Sequence, residues 1–196
     1  MLRALLNLVF PPRCLHCKAL CCGSYFCEEC WRQSSLIDLD HRCIHCFEAI
    51  EPPESLCSRC RHEPLLPFPR AAVFESQAPI RTFVHNRDYE QAMASFAYYQ
   101  WLRLGWEKPD VIASIPPNRN AVGRFFAELC NVPCPNLFRR IAWPLDTEKW
   151  EIRDFLEEDL TILLIDHGCT LAQRQLACQA ISHAFPKRVY ILSLVL

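Results

Sequence analysis

The chain has 196 residues, 51% of them hydrophobic, and a formal net charge of −1. That length suits one ordinary domain with a small appendage, and so much apolar material can fill a core. Near-neutrality excludes a global basic field, so nucleic-acid binding would have to come from a local patch; no segment is apolar for long enough to span a bilayer, which argues against an integral membrane protein.

At the N-terminus Leu2, Leu5, Leu6, Val9 and Phe10 fall at i, i+3, i+4, i+7 and i+8, the stripe of a short amphipathic helix docked on the body of the protein. The apolar run from Ala4 to Phe10 ends in Pro11-Pro12 without a small-residue cleavage site, which does not read as a signal peptide. Ten of the fourteen cysteines then lie before residue 61. Dense cysteines mean disulfides in an oxidising compartment and metal ligands in a reducing one. Without a secretion signal, a cytoplasmic, metal-binding protein is expected.

The pattern supports metal. Arg13-Cys14-Leu15-His16-Cys17 is echoed by Arg42-Cys43-Ile44-His45-Cys46, and Cys27/Cys30 by Cys57/Cys60, an internal duplication with C-x2-C, a loop of nine or ten residues, and C-x2-C in each copy. One knuckle supplies two sulfurs on one side of a tetrahedral zinc ion and the second closes the other. A redox C-x2-C pair would not occur four times in succession. Two structural Zn2+ ions are therefore expected, one held by Cys14, Cys17, Cys27 and Cys30, the other by Cys43, Cys46, Cys57 and Cys60. His16 and His45 sit inside the knuckles and should point outward. Cys21 and Cys22 are spare by the repeat, although either could replace a ligand. Roughly sixty residues broken by prolines bury too little to fold unaided, and metal binding of order 10–16 kcal/mol can substitute for a core.

Pro64, Pro67 and Pro69 make residues 63–69 an extended connector. It separates a helix and double ribbon, 1–62, from a second domain, 70–196. In that domain the patterning predicts a strand at 71–75, helices within 79–87 and 89–106, a strand at 110–115 and a helix at 121–131. A short strand near 136–138 and a polar stretch from 146 to 158 follow, then a strand at 160–165, a helix at 170–185 and a strand at 188–195. Alternation of this kind specifies an α/β fold, a parallel sheet with flanking helices. Trp101, Trp106, Phe125 and Phe126 read as core or interface residues rather than stacking platforms.

Strand Leu160–Ile165 runs into Asp166-His167-Gly168-Cys169-Thr170 and a helix, the arrangement in which backbone N–H groups and a helix dipole receive an anion. Thr170 is equally an ordinary N-cap residue. With Phe10-Pro11-Pro12-Arg13-Cys14, the two ribbons, the proline connector and this strand, the chain resembles the ComF family over nearly its whole length. The resemblance implies a type I phosphoribosyltransferase-like domain behind the double zinc ribbon. Asp166, Gly168 and Thr170 would then face phosphoribosyl pyrophosphate (PRPP), with Pro116 and Pro117 of Ile115-Pro116-Pro117-Asn118-Arg119 lining the pyrophosphate side and Mg2+ present only with that ligand. The family's second acid is His167 here, and Leu171 and Ala172 stand where a threonine and a glycine belong, so weak or absent transferase activity is expected.

The resemblance also implies an accessory role in DNA uptake during natural transformation, on single-stranded DNA beside a DNA-translocating helicase. Arg119, Arg124, Arg139 and Arg140 are the candidate phosphate contacts. A working phosphoribosyltransferase and a zinc-ribbon interaction scaffold are the alternatives. Zinc removal should unfold the first sixty residues and leave the α/β domain standing.

Overall fold

A computed structural model describes residues 11–21, 25–116, 121–141, 149–153 and 159–196. The helix expected over 2–10 lies outside them, as do Cys22, Pro117, Arg119 and Trp143.

The two ribbons are built alike. In each, the first knuckle turns back through a residue at positive φ, Lys18 at 63° and Phe47 at 66°. The turn is closed by paired backbone bonds, Cys14 N–H to Ala19 O (2.7 Å) and Lys18 N–H to Cys14 O (3.1 Å), repeated as Cys43 to Glu48 and Phe47 to Cys43, both 2.9 Å. The second knuckle opens a one-turn helix: Cys27 caps α1 (Glu28–Arg32) and Cys57 caps α2 (Ser58–His62). Cys30 and Cys60 are thereby brought back toward the first knuckle.

The rest of the chain forms β1 (Arg70–Phe74), α3 (Ala78–Val84), α4 (Glu90–Leu104), β2 (Val111–Ser114) and α5 (Val122–Cys130), followed by β3 (Phe138–Ile141), β4 (Lys149–Ile152), β5 (Thr161–Asp166), α6 (Leu171–Ser182) and β6 (Arg188–Val195). The main sheet has the order β1-β6-β5-β2, with every pairing parallel. Its strands are apolar on both faces because both are covered. Leu163 and Ile165 of β5 face a core shared with α3, α4 and α5, while Ile162 and Leu164 face α6 and the β3–β4 hairpin. Trp101 and Phe126 lie in the first core, as expected of core aromatics.

The hairpin departs from the sequence expectation. The strand expected at 136–138 is displaced to Phe138–Ile141, behind a turn in which Leu137 N–H reaches Pro135 O (3.0 Å). Its partner β4 lies inside the stretch read as merely polar, pairing Arg139 with Glu151 and Arg140 with Trp150. Four residues, only alternate ones apolar, are too short a signal against polar flanks. Trp150 is buried beside Phe138, ring centroids 5.9 Å apart, and anchors the hairpin over α6.

The ribbons share the first core. Phe26 is fully buried against Phe83 of α3 and Trp31 of α1, with centroids at 5.6 and 5.2 Å. Leu36 and Ile37 lie along the outer edge of β1, where Leu36 bridges Phe74 and Ile37 N–H donates to Val73 O (3.0 Å). Buried Gln100 fastens this segment, its Nε2 donating to Ile37 O (3.1 Å) and Ala72 O (3.2 Å). The connector is packed as well, with Leu66 buried in the second core.

Gly123 lets α5 approach β2. A Cβ at this position would lie 2.3 Å from Ser114 Oγ. Replacing Gly by Ala within a helix is worth up to about 1 kcal/mol in propensity, but here the hydroxyl must rotate away at roughly 0.5–1.5 kcal/mol. Gly123→Ala is therefore expected to give no gain in the native background and to stabilise by up to about 1 kcal/mol in Ser114→Ala. Urea denaturation of the four proteins of that cycle measures it, and an equal effect in both backgrounds would show that the contact is not what matters.

Candidate metal centres and anion loop

Cys14, Cys17, Cys27 and Cys30 form one group and Cys43, Cys46, Cys57 and Cys60 a second, the sulfurs of each lying within 4.8 Å of one another. A zinc tetrahedron with 2.3 Å bonds has edges of about 3.8 Å. The Cys17–Cys27 and Cys46–Cys57 sulfur pairs, each at 3.6 Å, match that size. The donor set also suits a dication. Burial pushes the Cys14 thiol up, but backbone N–H groups of Cys27, Cys17 and His16 outweigh it and bring the pKa down to about 6. Cys43 is likewise brought to about 6, against burial, by the N–H groups of Cys46, Cys57 and His45. In contrast, burial and the neighbouring thiols push Cys30 up to about 12 and hold Cys60 well above the usual thiol range. One sulfur in each group is ready to ionise while another resists until a metal arrives, the proton-coupled behaviour of a thiolate zinc site. Four protein thiols close the coordination shell, so such an ion is structural.

The spare and neighbouring residues have other partners. Cys21 stands outside both groups, its N–H donating to Pro12 O (3.0 Å). His16 Nδ1 lies 3.4 Å from Thr82 Oγ1 of α3, and the His45 carbonyl accepts the N–H of Arg70 at 2.7 Å.

The second candidate lies at the carboxyl ends of β2 and β5, where α/β sheets commonly hold ligands. Asp166 ends β5 fully buried. Its Oδ1 accepts Cys169 N–H (2.8 Å), and its Oδ2 accepts Ser193 Oγ–H (2.7 Å) and Arg174 Nε–H (2.6 Å). Both oxygens of the carboxylate are thus engaged by the protein itself. Gly168 follows at φ +77°, with nothing within 4 Å of the position a Cβ would take, so glycine serves backbone conformation here rather than space. Cys169 is buried, its thiol directed at the carbonyls of Ile115 (3.6 Å) and Pro116 (3.5 Å).

Thr170 caps α6 in a reciprocal box: its Oγ1 accepts Gln173 N–H (3.3 Å) while Gln173 Oε1 accepts Thr170 N–H (2.9 Å). That box occupies two of the backbone donors a phosphate would use. His167, next after Asp166, is half-buried, and burial holds its imidazole below the ordinary histidine range despite the raising effects of a backbone bond at Val84 and the nearby Glu90.

The arginines are dispersed over separate elements. Arg124 lies exposed on α5 with its guanidinium 5.4 Å from the centroid of the Phe125 ring, beside a surface groove of about 500 Å³ whose walls include Glu128, Asn131 and Cys134. Arg139 and Arg140 are exposed on β3, and Arg139 Nη2 faces Glu151 of β4 at 3.6 Å. Among the described residues, no helix is long and apolar enough to cross a membrane.

No family model matches the chain, and no curated protein matches it. Among solved structures it is similar to the purine phosphoribosyltransferase from Pyrococcus horikoshii Ot3, with 15% identity and a TM-score of 0.41 over 63% of this chain and 76% of that one. The α/β assignment rests on the sheet itself.

The sequence did not reveal Arg174 or Ser193 as partners of Asp166. Arg174 lies one turn into α6, and Ser193 adjoins Asp166 only through the β5–β6 register. An arginine at N4 of a helix that follows an acidic strand end was the one available signal.

Proposed function

We propose that this chain is a ComF-like protein in which a double zinc ribbon, 1–62, is joined through connector 63–69 to a phosphoribosyltransferase-type domain, 70–196, whose transfer site is degenerate. It acts in the cytoplasm as an accessory of DNA uptake, binding single-stranded DNA or a partner such as a DNA-translocating helicase. The observation that carries the non-transferring part of this reading is the Asp166 carboxylate, fully buried with both oxygens accepting protein donors. A carboxylate that holds ribose hydroxyls needs a free oxygen facing solvent. The capping box at Thr170 supports the same conclusion. The uptake role rests on the family resemblance.

One feature favours the competing transferase reading: Gly168 holds a φ of +77° in the loop, with open space beside it. Calorimetric titration of PRPP with Mg2+ into zinc-loaded protein separates the two. No saturable binding up to millimolar ligand is expected, and Mg2+-dependent binding lost in Asp166→Ala would establish the alternative. For the DNA reading, Arg139→Ala/Arg140→Ala is expected to weaken single-strand binding and to reduce the slope of log K against log salt by about 1.4, or about 0.7 for each phosphate contact removed. An unchanged affinity and slope would remove this patch from the interface.

A further inference from the structure

Arg70 joins the second ribbon to the loop that follows β5. As the first residue of β1, it donates its backbone N–H to His45 O (2.7 Å), inside the Cys43–Cys46 knuckle. Its Nε donates to Ser193 Oγ (2.9 Å) and its Nη2 to Val195 O (3.5 Å). Ser193 uses its one proton on Asp166 Oδ2 (2.7 Å), the oxygen that also accepts Arg174 Nε–H. The other carboxylate oxygen holds Cys169 N–H at 2.8 Å. A continuous run of directed hydrogen bonds therefore leads from a zinc knuckle to the turn that starts α6. Knuckle, strand and helix also meet around a cavity of about 160 Å³, lined by His45, Cys46, Cys60, Arg70, Leu171 and Arg174.

The first ribbon has a different contact with the α/β domain near its corresponding histidine, the His16 ring beside Thr82 of α3.

We infer that occupancy of the second zinc site, and not of the first, sets the order of the Asp166–Thr170 loop, with Arg70 as the positioning residue between them. Zinc keeps the knuckle folded, and the folded knuckle fixes the start of β1. Arg70 then holds Ser193 in the orientation that completes the shell around Asp166. Loss of zinc at this site frees Arg70 and leaves the carboxylate with weaker support, so the Cys169 amide opens more often.

The test is hydrogen exchange at the Cys169 amide of the full chain, followed by NMR with zinc content measured in parallel and the Leu163 amide, central in β5, as internal reference. Cys46→Ser, which removes a ligand of the second site, and Arg70→Gln, which retains both zinc ions, are each expected to accelerate Cys169 exchange about tenfold relative to Leu163, the loss expected for one hydrogen bond to a charged group. Cys17→Ser, in the first site, should change it less than about twofold. Arg70→Lys should recover part of the protection. Unchanged exchange in zinc-replete Arg70→Gln overturns the inference, whatever Cys46→Ser does to folding. Equal acceleration in Cys17→Ser and Cys46→Ser relative to Leu163 would also overturn it, by removing the distinction between the sites.

Discussion

Removing both zinc ions is expected to destabilise the α/β domain as well as unfold the ribbons, which departs from the outcome anticipated on sequence grounds. Structural zinc supplies of order 10–16 kcal/mol in small ribbons, more than such a module can replace by burial. Once the ribbons open, Phe26, Ile37 and Phe47, all buried in the core shared with α3, α4 and β1, return to water. At roughly 1.5–3 kcal/mol for each large apolar side chain, about 5 kcal/mol or more is lost, comparable to the whole stability of many domains.

The loss includes specific backbone protection. β1 is an edge of the main sheet, and Leu36–Ile37 cover it through the Leu36–Phe74 bridge and the bond from Ile37 N–H to Val73 O. Opening the ribbons uncovers an apolar strand edge, a ready template for association between chains. Chelation should lower the unfolding temperature of the remaining structure, deprotect amides 71–74 and promote aggregation. Thermal unfolding followed by circular dichroism, with exchange mapping and confirmed absence of zinc, measures this. An α/β domain that keeps its unfolding temperature and its β1 protection after complete zinc removal would refute the shared-core account.

The two cysteine tetrads were legible because a candidate metal site depends on residue type and short spacing, which four C-x2-C pairs state outright. The main sheet was legible for a similar reason: Thr161–Asp166 and Arg188–Val195 are long apolar runs separated by one helical pattern. What escaped was set by distant partners. Strand β4 has only Trp150 and Ile152 as inward residues and exists because Phe138 and α6 lie against it. The docking of Phe26 against Phe83 of α3 and of Ile37 onto β1 is a tertiary fact with no local signature, so the ribbons looked separable. The state of Asp166 was hidden for the same reason: the sequence shows an acid at a strand end, but only the parallel register brings Ser193 to it.

Asp166→Ala should cost about 3–5 kcal/mol of stability, the scale on which one partner of a buried ion pair is lost. Arg174, whose side chain is only 15% exposed, would remain without its carboxylate. Ser193 Oγ–H and Cys169 N–H would lose their acceptor as well, each a buried donor left without a bond. Asp166→Asn preserves the shape and some hydrogen bonding but removes the charge, so it should fall between wild type and Asp166→Ala. Replacing both partners in Asp166→Leu/Arg174→Leu should recover part of the loss, because Arg174 no longer stands as an unpaired charge while Ser193 Oγ–H and Cys169 N–H still lack their acceptor. The sign of the first effect discriminates between readings of the site. An acid kept for a ligand at the expense of the fold is commonly a stability liability, and its removal stabilises. An acid that serves as the internal anchor of its own loop destabilises when removed. Urea denaturation of the wild type and the three variants with zinc held saturating decides the matter: a stability gain in Asp166→Ala would return this residue to the ligand site, whereas the expected loss, partly rescued in the double variant, would establish it as the anchor of the β5 loop.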